Sequence, residues 1–167
     1  MSLAGNVSDT HFMGLALEQA ELGLCASELP VGCVVVHSDR VISAAHNARY
    51  SSRSKLAHAE MLAIGSAQRF LYEHRGECDL YVTLEPCMMC MGAIIASRFR
   101  RLVYGATDHM AGATVLSTQR PHYQMYAPII VGGVTATKSL ELLMRFTTST
   151  GATWTGQYFG ADQREQK

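Results

Sequence analysis

Two short motifs restrict what this chain can fold into: His58-Ala59-Glu60 and Pro86-Cys87-Met88-Met89-Cys90. Cys87 and Cys90 are spaced i and i+3, which places both thiols on one face of a helix. Pro86 is well tolerated in a helix's first turn. The pair is therefore expected at a helix start, where free amides and the positive end of the helix dipole favour thiolate over thiol. A Cys-x-x-Cys pair alone is shared by redox and structural metal sites. Two methionines between the thiols fit a redox pair badly, and Met88, Met89 and Met91 read as packing residues. His58 is a candidate third metal donor. Neighbours at i and i+2 diverge in a regular helix, so His58 and Glu60 can face one ion only if His58 lies at or before a first turn. The fold must then bring two helix starts together.

Two cysteines and one histidine leave the fourth tetrahedral position to water, the mark of a catalytic zinc site. Such a site draws the pKa of water down toward ~7. Glu60 is the residue placed to take that proton and pass it to a leaving group. One Zn2+ per chain is expected, held by His58, Cys87 and Cys90.

The rest of the pattern alternates strands and helices. A helix is expected from Phe12 to about Ala26, with Phe12, Leu15, Ala16, Gln19, Leu22 and Cys25 on one side. The β-branched run Val31 to Val36, a polar turn at His37 to Arg40 and the run Val41 to Ala45 predict a hairpin. Asn47 to Lys55 reads as a loop and Ala57 to Phe70 as a helix. Leu80 to Leu84 is a strand, Pro86 to Ser97 a helix and Arg101 to Tyr104 a strand. An irregular stretch from Gly105 to Ala127 leads to a strand at Pro128 to Val131, then a helix at Ser139 to Phe146. This order predicts an α/β fold, a mixed sheet with helices on both faces. One domain spanning 1–167 is expected, with its core at about 10–146 and a tail at 147–167.

Composition narrows the partners. Fourteen basic and fourteen acidic residues cancel, so no overall field draws the chain to nucleic acid or a membrane. Its apolar runs are far shorter than the ~20 residues of a membrane span. The first thirty residues lack a signal-peptide pattern. A cytoplasmic protein is expected. The five cysteines are an odd number, which argues against a disulfide framework; Cys25, Cys33 and Cys78 read as small hydrophobes. Arg98, Arg100 and Arg101 form the one dense basic cluster.

With these motifs in hand, the sequence resembles the cytidine deaminase superfamily, whose zinc signature is His-x-Glu followed by Pro-Cys-x-x-Cys. Pro30-Val31-Gly32, Ala57-His58-Ala59-Glu60 and Leu80 through Cys87 are similar to bacterial tRNA-specific adenosine deaminases, over about residues 10 to 115. His46-Asn47-Ala48-Arg49-Tyr50 and a C-terminus with Trp154 and Phe159 look more like fungal cytosine deaminase. The resemblance implies a three-layer α/β/α fold with a five-stranded mixed sheet, usually in a homodimer. It implies that Asn47 hydrogen-bonds the substrate, that Val31 lines the base, and that the backbone of Ala59 and Leu84 contacts it.

The tRNA enzymes carry Asp-Pro-Thr before the zinc histidine, a lysine in the stretch aligned with Asp108 to Ala113, and a basic C-terminal helix. This chain has Ser54-Lys55-Leu56-Ala57, no such lysine, and a Thr, Ser and Gly segment after Arg145-Phe146. Because RNA recognition leans on phosphate contacts from Lys and Arg, the expectation is hydrolytic deamination of a free nucleobase or related heterocycle, with adenosine in tRNA the alternative. Trp154, Tyr158 and Phe159 are then candidates for a cap over a small base.

Overall fold

The computed structural model describes residues 7–115 and 120–151. In chain order it holds helix α1 (Val7–Cys25), strands β1 (Gly32–His37) and β2 (Arg40–His46), helix α2 (Ala59–Glu73), strand β3 (Asp79–Leu84), helix α3 (Met88–Ala96), strand β4 (Arg101–Ala106), helix α4 (Pro121–Tyr126), strand β5 (Ile129–Val131) and helix α5 (Ala136–Thr150). The five strands form one mixed sheet in the order β2-β1-β3-β4-β5. β1 pairs antiparallel with β2 and β3, while β3, β4 and β5 run parallel. This is the expected α/β architecture.

Alternation along the central strands divides the core between two faces, because successive side chains in a strand point opposite ways. Val34 and Val36 of β1, Tyr81 of β3 and Val103 of β4 pack with Phe12, Met13 and Ala16 of α1. Cys33 and Val35, Leu80 and Val82, and Leu102 face the other way, onto Ala59, Ala63 and Ile64 of α2 and Met91, Ile94 and Ile95 of α3. Every residue of β3 is buried, as befits a strand covered on both faces.

Several expectations require correction. The buried side of α1 is Phe12, Met13, Ala16 and Ala20, while Leu22 and Cys25 are exposed. The reason is the close approach of β1: a Cβ on Gly32 would lie 2.0 Å from the Ala16 carbonyl oxygen and 2.5 Å from the Ala20 nitrogen, so only small residues of α1 can face it. Cys33 and Cys78 are buried as expected. Met88 points outward, and Met91 is the methionine of its motif in the core. The stretch expected to be irregular holds α4, which has no buried residue to betray it by periodicity and starts at Pro121. The last helix runs on to Thr150, where Gly151 stops it in the left-handed conformation.

The basic cluster is absorbed by the fold. Arg100 makes two 2.8 Å hydrogen bonds to Asp79, and Arg101 donates to Asp9 at 2.8 and 2.9 Å. Tyr81 donates to the same Asp9, and the Arg98 guanidinium sits over the Tyr126 ring.

Candidate active site

Both motif pairs stand at helix starts. His58 is the residue before α2, with extended backbone at φ −72° and ψ 153°, and Cys87 precedes α3 at φ −73° and ψ 173°. The extended backbone turns His58 away from the helical path, so that it and Glu60 can share a pocket, as the spacing required. His58 Nδ1 lies 3.7 Å from Cys87 Sγ and 3.6 Å from Cys90 Sγ, and the sulfurs are 3.7 Å apart. Tetrahedral zinc, with Zn–S about 2.3 Å and Zn–N about 2.0–2.1 Å, implies edges of roughly 3.8 Å between sulfurs and roughly 3.6 Å from sulfur to nitrogen. The three donors fit that ion.

Electrostatics around the donors follow from hydrogen bonding and burial. The Cys87 thiol is lowered to about 4, first by its hydrogen bond with Cys90 and further by His58, against the opposing effect of burial. Cys90 is pushed up by the same bond and by burial. His58 is raised, above all by its hydrogen bond with Cys87. Glu60 is buried, and burial raises its carboxyl above the ordinary range. A carboxyl so placed holds a proton more readily, which suits a group that must both accept and deliver one.

The donors open on a pocket lined by Leu29, Val31, Asn47, Arg49, Ala59, Glu60, Leu84, Glu85 and Asp108. All four residues named for substrate contact, Val31, Asn47, Ala59 and Leu84, lie on its wall. Trp154, Tyr158 and Phe159 lie outside the described residues.

Sequence reasoning missed the groups that hold this wall. Glu28 is fully buried and accepts hydrogen bonds from Asn47 Nδ2 at 3.2 Å, the Tyr50 amide at 3.1 Å and the Ser51 amide at 2.7 Å. It therefore orients Asn47 and the loop after it. Glu85 accepts from the Asp108 amide and from the amide and hydroxyl of Thr114, and Asp108 in turn caps the amides of Met110 and Ala111. The Ala113 amide donates to Pro86, so this loop is laced onto the segment carrying Cys87. Gly112 is required there: a Cβ would meet the Asp108 carbonyl and the Glu85 carboxylate at 2.4–2.5 Å. Glu85 adjoins Pro86 in sequence, but nothing in the spacing marks it; Glu28 carries no motif at all.

Comparison with known proteins adds to the geometry. Residues 6–106 match the model of the cytidine and deoxycytidylate deaminase zinc-binding region. A tRNA-specific adenosine deaminase of Streptococcus pyogenes serotype M18 is 42% identical over 108 residues, spanning 62% of this chain and 65% of that protein. The chain thus spans about two thirds of that relative's length. A tRNA-specific adenosine deaminase of Agrobacterium fabrum is 40% identical over 141 residues, 82% of this chain and 92% of that one. A solved structure from work on A-to-I editing by tRNA:A34 deaminases superposes with a TM-score of 0.74 at 40% identity, covering 80% of this chain and 99% of the other.

Proposed function

Because the chain belongs to the cytidine and deoxycytidylate deaminase zinc-binding family, we propose that it hydrolyses an exocyclic amino group from a base, and that this base is an adenosine in tRNA. The observation that carries the first part is the His58, Cys87 and Cys90 donor set facing buried Glu60 across one pocket. The second part is supported by the names of the relatives at 40–42% identity. It departs from the free-base expectation, which leaned on the missing basic elements and the His46 to Tyr50 segment, with Trp154, Tyr158 and Phe159 as a candidate cap.

His58, Cys87 and Cys90 would hold the ion. Zinc, when bound, supplies the Lewis acidity that makes water a nucleophile near neutral pH. Glu60 takes a proton from the attacking water and delivers it on the side of the leaving nitrogen. The C–N bond breaks as the C=O bond forms, one water is consumed and ammonia leaves. Asn47, held by Glu28, presents its amide to the base edge or ribose, with Val31 and Leu84 against the ring and the Ala59 backbone near the amino group. A homodimer and a cytoplasmic location complete the proposal. No helix among the described residues is long and apolar enough to cross a membrane.

The test is an ammonia-release screen of a tRNA anticodon stem-loop beside cytosine, adenine, guanine and their nucleosides. Turnover confined to the stem-loop is expected. Turnover of a free base with none on the stem-loop would return the substrate to the small-heterocycle class and leave the zinc chemistry intact.

A further inference from the structure

We propose that His37, His74 and Glu77 form a second site for a divalent transition metal, separate from the pocket. His37 is the last residue of β1, His74 follows α2, and Glu77 lies in the turn that leads to β3. His37 Nε2 and His74 Nδ1 approach the same carboxylate oxygen, Glu77 Oε2, at 3.0 and 3.2 Å. The three ligand atoms all lie within 4.8 Å of one another. Nitrogen and oxygen donors about 2.0–2.1 Å from a tetrahedral zinc would stand roughly 3.3 Å apart, close to the two contacts seen.

The rings are held in place before any ion arrives. Phe70 stacks on His74 with centroids 4.2 Å apart and an interplanar angle of 27°, and meets His37 edge-on at 5.2 Å. The two imidazole centroids are 4.6 Å apart. One aromatic side chain from α2 thus positions ligands from two separate segments. Preorganised side chains of this kind lower the ordering cost of binding.

The donor chemistry selects the class of ligand. Neutral imidazole suits zinc, copper and nickel, and two histidines with one glutamate is a set that zinc uses with a position left open. With Glu77 exposed and both histidines only part-buried, solvent can complete the coordination. The set also lies near the C-terminal end of α2, where the helix dipole favours a cation. A helix rises 1.5 Å per residue, so His74 stands about 24 Å along α2 from His58. The two ions would not bridge. The distal one would tie the end of the β1–β2 hairpin to the α2–β3 turn, and turnover does not depend on it.

The experiment is a zinc titration of the zinc-loaded chain followed by equilibrium dialysis, repeated with cobalt. Wild type is expected to hold about two equivalents, and the His37→Ala, His74→Ala double variant about one, with deamination retained. Cobalt bound at the first site shows thiolate-to-metal charge transfer. The second equivalent should add ligand-field bands without it, because its donors contain no sulfur. Should the double variant fail to fold, Glu77→Gln serves instead, with the second equivalent weakened on the order of tenfold or more. Saturation of wild type at one equivalent, a second equivalent that persists in the double variant, or unchanged affinity in Glu77→Gln would overturn the proposal.

Discussion

The two ends of α2 carry two donor sets built on opposite plans. At its start, His58 faces two thiols that themselves sit at the start of α3, where amide groups and helix dipoles favour negative sulfur. At its far end, two imidazoles and a carboxylate gather where the dipole favours a cation. The first set is partly or wholly buried and laced in by the Glu85 and Asp108 loop; the second is packed by one phenylalanine and open to water. The same helix therefore separates a site whose donors and surroundings suit chemistry from one suited to clamping. A proton carrier makes the difference: Glu60 is buried beside the first set, whereas Asp79, the buried carboxylate that shares a pocket wall with His37 and Glu77, is tied to Arg100 and Arg101.

The largest effect expected is at the thiols. Cys87→Ser or Cys90→Ser should abolish zinc retention at the pocket and ammonia release together, measured by metal analysis after dialysis and by a coupled ammonia assay. Retention of one tightly held zinc with full turnover in either variant would mean that the pocket donors do not hold the ion. Next comes Glu60→Ala, which removes the proton carrier and keeps all three ligands. Zinc content should stay at wild-type level while kcat falls about 10²–10⁴-fold. An unchanged kcat would remove Glu60 from the mechanism.

How much of this contrast was legible in the chain follows from the kind of interaction involved. The pocket donors were readable because i, i+3 thiols and an i, i+2 His and Glu pair impose a local geometry that only helix starts satisfy. The strands were readable where burial on both faces left β-branched runs, as in Val34 to Val36. The face of α1 was not, because it is set by how closely Gly32 approaches Ala16 and Ala20, a contact between elements. Glu28 and Glu85 escaped for the same reason: each acts through hydrogen bonds to backbone amides of distant loops, and an amide leaves no trace in residue identity. The distal set escaped because His37 reads as a turn residue until the sheet brings β1 beside the α2–β3 connection.

Glu28 offers an intermediate effect that tests how far the pocket depends on its surroundings. Glu28→Ala leaves the Asn47 amide and two backbone amides without their acceptor, and an unsatisfied buried donor costs about 1–3 kcal/mol. Denaturant unfolding should show a loss of that order or more. Because Asn47 is then free to turn, KM should rise more than kcat falls, with zinc content unchanged. Equal losses in kcat and kcat/KM at unchanged KM would mean that Asn47 acts only in the transition state.

The smallest effect is expected at the distal end, and its smallness sharpens the contrast. His74→Ala removes one hydrogen bond to an exposed carboxylate and the stack on Phe70; part-exposed interactions of this kind contribute about 0.5–1.5 kcal/mol. Its kcat should match wild type because about 24 Å of helix lies between the ring and the pocket donor His58. A fall in kcat comparable to that of Glu60→Ala would mean that α2 couples its two ends, and the division between a chemical and a clamping site would fail.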